Sequence, residues 1–292
     1  MSHKKKQIIL GCVALALLLI LLVMTAVVLG HWLEMPGLPQ IPGLPDTPTQ
    51  EPEYPLIPLF PMPPKPTARP NLYGEEDFIL EDGFMRLAQG QTITGIDVSY
   101  YQKDIDWQQV KDFGIQFVII RLGCRGYETG NLIVDQRVYE YLEGARAVGL
   151  KIGAYFYSQA INRAEAVEEA LFCLDILDGF QLDMPVVYDW EYVSDEARTA
   201  NMTGQTLMAC TIAFCDTILA GGYDAMVYFN PHMTKVYLDL AVLQKKGYPF
   251  WLAHYTDTMT FPYQVQLWQY SYTGKVPGIE GGVDLNILLP NK

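Results

Sequence analysis

Two acidic residues, Asp189 and Glu191, have the spacing that most clearly suggests chemistry. They directly follow an apolar run at 184–188 that predicts a buried strand. In an extended strand, side chains two residues apart share one face, with Cα atoms roughly 6.5–7 Å apart. Two carboxylates this close repel each other, so the pKa of one rises and that group can hold a proton near neutral pH. Glycoside hydrolysis uses such a pair: a general acid for the leaving oxygen and a partner for the developing positive charge.

This spacing does not select one glycosidase mechanism. Inverting enzymes place their carboxyl groups ~6.5–9.5 Å apart and retaining enzymes ~5–5.5 Å apart, and an i, i+2 pair is compatible with either. Substrate-assisted catalysis is a third route compatible with it. An isolated Asp-Trp-Glu tripeptide is also typical of an ordinary strand end with surface acids, so the interpretation depends on what the other strands place beside it.

Polar and aromatic residues recur at the ends of the other predicted strands, where a buried strand has no structural need for them. In a β/α barrel the active site is built at the carboxyl ends of the strands. Aromatic rings beside carboxylates form the usual binding surface for sugars, which are apolar on their faces and polar at their edges. The predicted catalytic residues are Glu191, Asp189, Asp97 and Asp284. The predicted substrate-binding residues are Tyr157, Tyr155, Arg121, Tyr228, Asn230, Trp251, Tyr255, Trp268 and Gln269.

Short apolar strands and helical patterns alternate after residue 93. The strands are expected at 94–98, 117–122, 151–157, 184–188, 225–229, 250–253, 264–269 and 283–286. The helices are expected at 135–148, 163–177 and 203–219, and the later gaps are too short or too rich in Pro and Gly for full helices. Repeated β-α units predict a parallel sheet. The predicted fold class is therefore α/β, an irregular (β/α) barrel of the TIM type with few helices in its second half.

The composition excludes several classes of function. Acidic residues outnumber basic ones 33 to 20, giving a net charge of −13, so the chain has no basic excess for binding nucleic acid. The histidines are not at metal-ligand spacing and no phosphate-binding loop occurs, so neither a metal nor a cofactor is predicted. Five cysteines are too few for a disulfide scaffold. Buried free thiols are favoured, and a bridge involving Cys124 is the alternative.

The first part of the chain is expected to anchor the domain rather than to act. Residues 8–29 form an apolar run of 22, long enough to cross a bilayer, and Lys4, Lys5 and Lys6 precede it. The positive-inside rule then predicts a cytoplasmic tail at 1–7, a transmembrane signal anchor at 8–30 and an extracytoplasmic remainder. A cleaved signal peptide is the alternative, although no A-x-A-like cleavage site follows the run.

A proline-rich stretch separates the predicted anchor from the folded part. Between Pro36 and Pro70, 13 of 35 residues are proline, which excludes a helix or a paired strand and predicts an extended spacer. We therefore assign a linker to 31–75, a lead-in hairpin to 76–92 and the catalytic domain to 93–292.

In their order along the chain, the motifs of this domain resemble those of glycoside hydrolase family 25, the β-1,4-N-acetylmuramidases or lysozymes of bacteria and their phages. The matching segments are GIDVS at 95–99, YQ at 101–102, IDW at 105–107, FVIIR at 117–121, GAYFY at 153–157, VYDWE at 187–191, WLAHY at 251–255, LWQY at 267–270 and GVDLN at 282–286. The resemblance implies an irregular β/α barrel that cleaves peptidoglycan between N-acetylmuramic acid and N-acetylglucosamine. The chain departs from the family at Cys124, where an aromatic residue is common, and this affects subsite detail rather than chemistry.

The resemblance also implies a role for each acid. Glu191 is similar to the proton donor, and Asp189 to its partner, which is expected to orient the 2-acetamido group of the substrate for neighbouring-group attack. Asp97 and Asp284 are similar to the two other active-site acids, and Tyr157 to the tyrosine near the acetamido site. The expected function is that of a membrane-tethered muramidase, with peptidoglycan glycan strands and the lipid bilayer as its partners. The alternatives are a non-catalytic peptidoglycan-binding module and a secreted lysozyme.

Overall fold

The structure, a computed structural model, describes residues 67–290. Its strands are β1 (Phe78–Glu81), β2 (Phe84–Leu87), β3 (Ile93–Val98), β4 (Phe117–Arg125), β5 (Leu132–Val134), β6 (Lys151–Ser158), β7 (Val186–Trp190), β8 (Ala225–Phe229), β9 (Phe250–Ala253), β10 (Leu267–Gly274) and β11 (Val283–Leu288). Its helices are α1 (Trp107–Phe113), α2 (Val138–Ala147), α3 (Arg163–Leu177), α4 (Gly204–Ala220), α5 (Met233–Val236) and α6 (Leu240–Lys246). The predicted tail at 1–7, the anchor at 8–30 and most of the linker lie outside these residues. Within 67–290, no helix is long and apolar enough to cross a membrane.

A closed ring of eight strands confirms the predicted α/β barrel. Around the ring the order is β3, β4, β6, β7, β8, β9, β10 and β11, and β11 pairs back onto β3. Neighbours from β3 to β10 are parallel, and β5 lies antiparallel on the outer part of β4. The long helices α2, α3 and α4 follow the early strands, and only the short α5 and α6 follow β8, so the second half is poor in helices as predicted.

The last strand departs from the predicted parallel sheet. β11 is antiparallel to both of its neighbours, β10 and β3. Only residues 275–282 connect β10 to β11, whereas a parallel return needs a crossover of a dozen or more residues. Asp284 therefore lies near the start of its strand and not near the end. Because the strand is reversed, its start is at the same rim as the ends of the parallel strands.

Side chains of the barrel strands divide between an inner and an outer core. The inner core contains Phe117, Ile119, Val187, Met226, Tyr228, Trp251, Ala253 and Leu267. The outer core lies between the strands and the helices and is the larger of the two clusters. Cys173, Cys210 and Cys215 are buried free thiols, and Cys124 is a half-buried free thiol.

Local capping explains where the helices begin. Asn162 accepts a hydrogen bond from the backbone of Glu165 at the start of α3, and the Thr203 side chain does the same for Thr206 at the start of α4. Helix α2 begins three residues later than predicted, at Val138. The Asp135 carboxylate accepts a hydrogen bond from the backbone N–H of Arg137 at 2.9 Å, which forms a turn just before the helix.

The N-terminal hairpin is an integral layer of the domain. β1 and β2 pair antiparallel at the predicted place, and Met85 is fully buried. The Phe78 ring lies 5.2 Å from the ring of Trp268, which faces outward from β10. The hairpin thus covers the side of the barrel where the long helices are missing. The last residues of the predicted linker also lie against the domain, since Pro70 forms a β-bridge with Tyr263.

Candidate active site

A cavity of about 250 Å³ opens at the rim where the parallel strands end. It brings together eleven of the thirteen predicted site residues: Asp97, Arg121, Tyr155, Tyr157, Asp189, Glu191, Tyr228, Trp251, Tyr255, Gln269 and Asp284. Val98, Ser99, Tyr101 and Gln102 complete the lining. The four predicted catalytic acids therefore share one cavity.

Side chains alternate between the two faces of β7, and this determines which of its residues face the cavity. Asp189 points inward and is paired in register with Tyr157 of β6 and Tyr228 of β8. Trp190 points outward, is fully buried and packs on Tyr237 with ring centroids 5.2 Å apart. Glu191 is the first residue after the strand, so its carboxyl group returns to the inner face.

Asp97 and Asp284 form the first of two carboxyl pairs. They are directly opposite in the antiparallel register of β3 and β11. Asp97 Oδ2 accepts hydrogen bonds from Gln269 Nε2 and Asn286 Nδ2, both at 2.8 Å. Burial raises the pKa of Asp97 and these amides oppose that rise, whereas burial and the charge of Asp97 raise the pKa of Asp284 to about 9. Asp97 is thus the group that keeps the negative charge and Asp284 the group that keeps a proton.

Asp189 and Glu191 form the second pair. Burial raises the pKa of Asp189 well above its usual value, and the negative charges of Glu191 and Asp97 add to this. Burial also raises the pKa of Glu191, followed by the charge of Asp97, while a hydrogen bond with Asp189 lowers it. Two carboxyl groups can share a hydrogen bond only when one of them is protonated. Burial and the proximity of the two groups therefore favour retention of a proton by this pair.

This arrangement corrects one physical expectation. The sequence suggests that Asp189 is the neighbour that raises the pKa of Glu191. In the structure that neighbour is Asp97, and Asp189 acts in the opposite direction as a hydrogen-bond donor. Asp189 Oδ1 is buried and has no hydrogen-bond partner among the described residues, so one acceptor atom at the floor of the cavity is unsatisfied.

Tyrosines and one arginine surround the acids. The hydroxyl groups of Tyr228 and Tyr255 both donate to Gln269 Oε1 at 2.9 Å, so this amide connects the aromatic wall to Asp97. Arg121 is the basic residue of the lining, and its Nε donates to Asp135 Oδ2 at 2.8 Å. Its guanidinium carbon lies 5.1 Å from the ring centroid of Tyr100. The site is thus an acidic, tyrosine-lined cavity in which burial favours protonated carboxyl groups, and this suits proton donation to a ring-shaped substrate.

Comparison with known proteins assigns the family. The sequence model of glycosyl hydrolases family 25 matches residues 96–279. The chain belongs to glycoside hydrolase family 25. It is similar to the autolytic lysozyme of Clostridium acetobutylicum, at 28% identity over 66% of this chain and 54% of that protein. It is also similar to lysozyme M1 of Streptomyces globisporus, at 26% identity over 66% of this chain and 67% of that protein.

Solved structures agree on the fold of this family 25 domain. The modular autolysin LytC from Streptococcus pneumoniae superposes with a TM-score of 0.61 at 24% identity, covering 73% of this chain and 52% of LytC. The chain therefore spans about half the length of the autolytic lysozyme and of LytC.

Two predicted site residues are not part of the family 25 cavity. Trp268 faces outward because its neighbour Gln269 faces inward, and its indole donates to the backbone oxygen of His254 at 2.7 Å. The side chain of Asn230 instead accepts from the backbone of His232 at 3.0 Å and so caps the turn into α5. The prediction that Trp268 converges on the cleft is therefore wrong.

Sequence reasoning also missed residues that support the site. Asn286 is fully buried, donates to Asp97 and accepts from the indole of Trp251 at 2.8 Å. Its position two residues after Asp284, on the same face of the strand, was the available signal. Tyr101 lines the cavity and is 66% exposed. It falls within a family motif, although it was not assigned to the site.

Proposed function

We propose that this domain is a peptidoglycan muramidase that hydrolyses the β-1,4 bond between N-acetylmuramic acid and N-acetylglucosamine. The observation that carries the proposal is the convergence of four acidic side chains, Asp97, Asp189, Glu191 and Asp284, in one tyrosine-lined cavity. A glycosidic oxygen leaves slowly as an alkoxide, so it needs a proton as the bond breaks. Glu191 is suited to donate it, because burial and the charge of Asp97 favour its protonated form.

The proposed mechanism is substrate-assisted. A 2-acetamido N–H that reaches Asp189 would donate to the unsatisfied Oδ1 and stabilise the ionised carboxylate. The charge of Arg121 also lowers the pKa of Asp189. Glu191 gives its proton to the leaving oxygen as the acetamido carbonyl oxygen bonds to the anomeric carbon. Water, deprotonated by the Glu191 carboxylate, then opens the resulting oxazolinium ring at the anomeric carbon, which completes the hydrolysis and returns the proton to Glu191. Asp97 keeps its negative charge and stabilises the positive charge that develops at the anomeric centre.

Analysis of the released ends tests the reaction. Purified protein is incubated with peptidoglycan, and the soluble fragments are reduced and analysed by mass spectrometry. A muramidase leaves reduced muramic acid at the new ends. Reduced glucosamine ends would indicate cleavage of the other glycosidic bond, and sedimentation with the polymer without release would indicate a non-catalytic binding module. Either result would remove the proposal.

We also propose that the enzyme is tethered to the membrane. The support is the apolar run at 8–29 with Lys4, Lys5 and Lys6 before it, a pattern that favours a cytoplasmic N-terminus and an extracytoplasmic domain. Fractionation of cells tests this, together with sequencing of the N-terminus of the mature protein. A membrane-bound protein that retains residues 1–30 supports the tether. A soluble protein that begins after residue 30 identifies a secreted lysozyme with a cleaved signal.

A further inference from the structure

Gln159 is a fully buried amide just behind the proposed general acid. Its side-chain Nε2 donates to the backbone oxygens of Ser158 at 2.9 Å and of Glu191 at 3.0 Å. Its Oε1 accepts from the hydroxyl group of Thr199 at 2.7 Å. Burial of an amide costs free energy unless its polar atoms are bonded. Here the side-chain nitrogen and oxygen of Gln159 are both hydrogen-bonded.

The bond to Glu191 extends the sheet beyond its last backbone pair. The register between β6 and β7 ends at Ser158 and Trp190. The next positions along the two strands are Gln159 and Glu191, and here the side-chain amide of Gln159 holds the carbonyl group of Glu191. The hydrogen bond from the Gln159 side chain thus replaces the backbone hydrogen bond that would come next between β6 and β7. It fixes the backbone from which the Glu191 carboxyl group extends.

Gln159 is itself held firmly from the side of helix α3. Its backbone N–H donates to Glu169 Oε1 at 3.4 Å, and its backbone oxygen accepts from Arg198 Nη1 at 2.6 Å. Glu169 is fully buried and also accepts from Ser158 at 2.6 Å and from Arg125 at 2.8 Å. This connects Gln159 to a rigid helix, whereas Glu191 stands at the start of a loop. Arg198 lies in the loop that follows Glu191 and is paired with Glu165 of α3, so α3 restrains Gln159 directly through Glu169 and indirectly through Arg198.

We propose that Gln159 is a positioning residue that holds the backbone of Glu191 and so fixes its carboxyl group relative to the scissile oxygen. The inference rests on the proposed role of Glu191 as general acid. Misplacement of a reacting group by about 1 Å can cost about 10²-fold in rate. Several titratable or charged groups face Glu191 across the cavity: Asp97, Asp189, Asp284, Arg121, Tyr157, Tyr228 and Tyr255.

Gln159→Met tests the proposal, because methionine has a similar length and no amide. We expect kcat to fall about 10- to 100-fold with KM nearly unchanged. A displaced Glu191 becomes more solvated, so the alkaline limb of the pH–rate profile should move to lower pH. Thr199→Val keeps Gln159 but removes one of its restraints, and should give a smaller change in the same direction. Gln181→Met, at an exposed glutamine whose side chain donates to the backbone oxygen of Gly179, is the matched control and should leave kcat, KM and the pH–rate profile unchanged.

A second readout does not depend on activity. In protein labelled with ¹³C at the glutamate carboxyl groups, the Glu191 signal is identified by its loss in Glu191→Gln, and its pKa is followed by titration. A lower Glu191 pKa in Gln159→Met and Thr199→Val supports the proposal. An unchanged pKa and kcat in folded Gln159→Met, or a change confined to thermal stability, would overturn it. If wild-type protein releases no muramic acid ends while the NMR shift is present, the proposed function fails and the positioning of Glu191 stands.

Discussion

Asp97 and Asp284 face each other across two antiparallel strands, yet their surroundings favour a negative charge on Asp97 and a proton on Asp284. Two side-chain amides hold Asp97 as an acceptor, and Asp284 has no comparable donors to its carboxyl group among the described contacts. One proton between them lowers the repulsion in a cavity that already contains Asp189 and Glu191. The reversal of β11 creates this relationship, since it brings the start of one strand beside the end of another.

The first prediction concerns stability and pH. The pKa of Asp284 is about 9 in the folded protein against 3.8 for the ordinary side chain. Between these values the folded state binds a proton that the unfolded state lacks, so the free energy of unfolding should fall as pH rises from about 4 to about 9. Asp284→Asn removes this dependence. We expect the Tm difference between variant and wild type to be more positive at pH 8 than at pH 5, by calorimetry.

The control for this experiment is an exposed aspartate. Asp175→Asn, on the outer side of helix α3, should leave the slope of Tm against pH as it is in the wild type. Asp284→Asn with the wild-type slope would show that Asp284 is not protonated in the folded protein at neutral pH.

The second prediction concerns the chemical step. Glu191→Gln keeps the shape of the side chain and removes its proton. Loss of general acid catalysis should reduce kcat by about 10²–10⁴-fold, roughly 3–5 kcal/mol of barrier, whereas glycan binding should survive. Release of muramic acid reducing ends measures the rate, and co-sedimentation with peptidoglycan measures binding. Glu196→Gln, an exposed glutamate in the same loop, should behave as wild type. A Glu191→Gln variant with near wild-type turnover would transfer the role of acid to Asp284, a carboxyl group whose pKa is raised to about 9.

Much of the barrel could be predicted because its buried strands are continuous apolar runs with polar residues at their ends. The direction of β11 could not, since an apolar run carries no direction and only the short connection at 275–282 reverses it. The sequence also does not determine which residues of β10 face the cavity and which face outward. Trp268 and Gln269 are adjacent, and both are residue types suited to contacting sugars. Only the register of the strand decides which of them faces the cavity.

The residues that support the site could not be predicted from the sequence for a different reason. Asn286 contacts Asp97 across 189 residues of sequence, and Gln159 contacts the backbone of Glu191 across 32. Neither contact leaves a local pattern. Helix α1 was missed because its seven residues are too few for a clear period, although Asp106 caps its start and Gly114 ends it in the left-handed region.

The third prediction concerns the proposed tether. The chain lies against the domain at Ala68 and Pro70, which belong to the end of the proline-rich stretch. Reducing 36–66 to about ten residues should decrease wall cleavage in cells, because an extended spacer contributes roughly 3.1 Å of reach per residue. Turnover of the same variant on soluble glycan should not change. Equal wall cleavage by the shortened and full-length proteins would discard the role of the spacer.

The last prediction concerns the N-terminal hairpin, which the sequence suggested was a lead-in outside the catalytic domain. Met85 is fully buried, and Phe78 packs on the outward face of Trp268. No long helix follows β9 or β10, so this hairpin supplies the apolar cover for that side of the barrel. Met85→Ala should lower the free energy of unfolding by about 2–5 kcal/mol in denaturant titrations. Ile79→Ala, at a position of β1 that is 45% exposed, should change it by less than about 0.5 kcal/mol.

Deletion of 67–92 should expose Trp268 and produce a protein that binds apolar dyes. Equal effects of Met85→Ala and Ile79→Ala, or a deletion variant as stable as the whole domain, would show that the barrel does not depend on the hairpin.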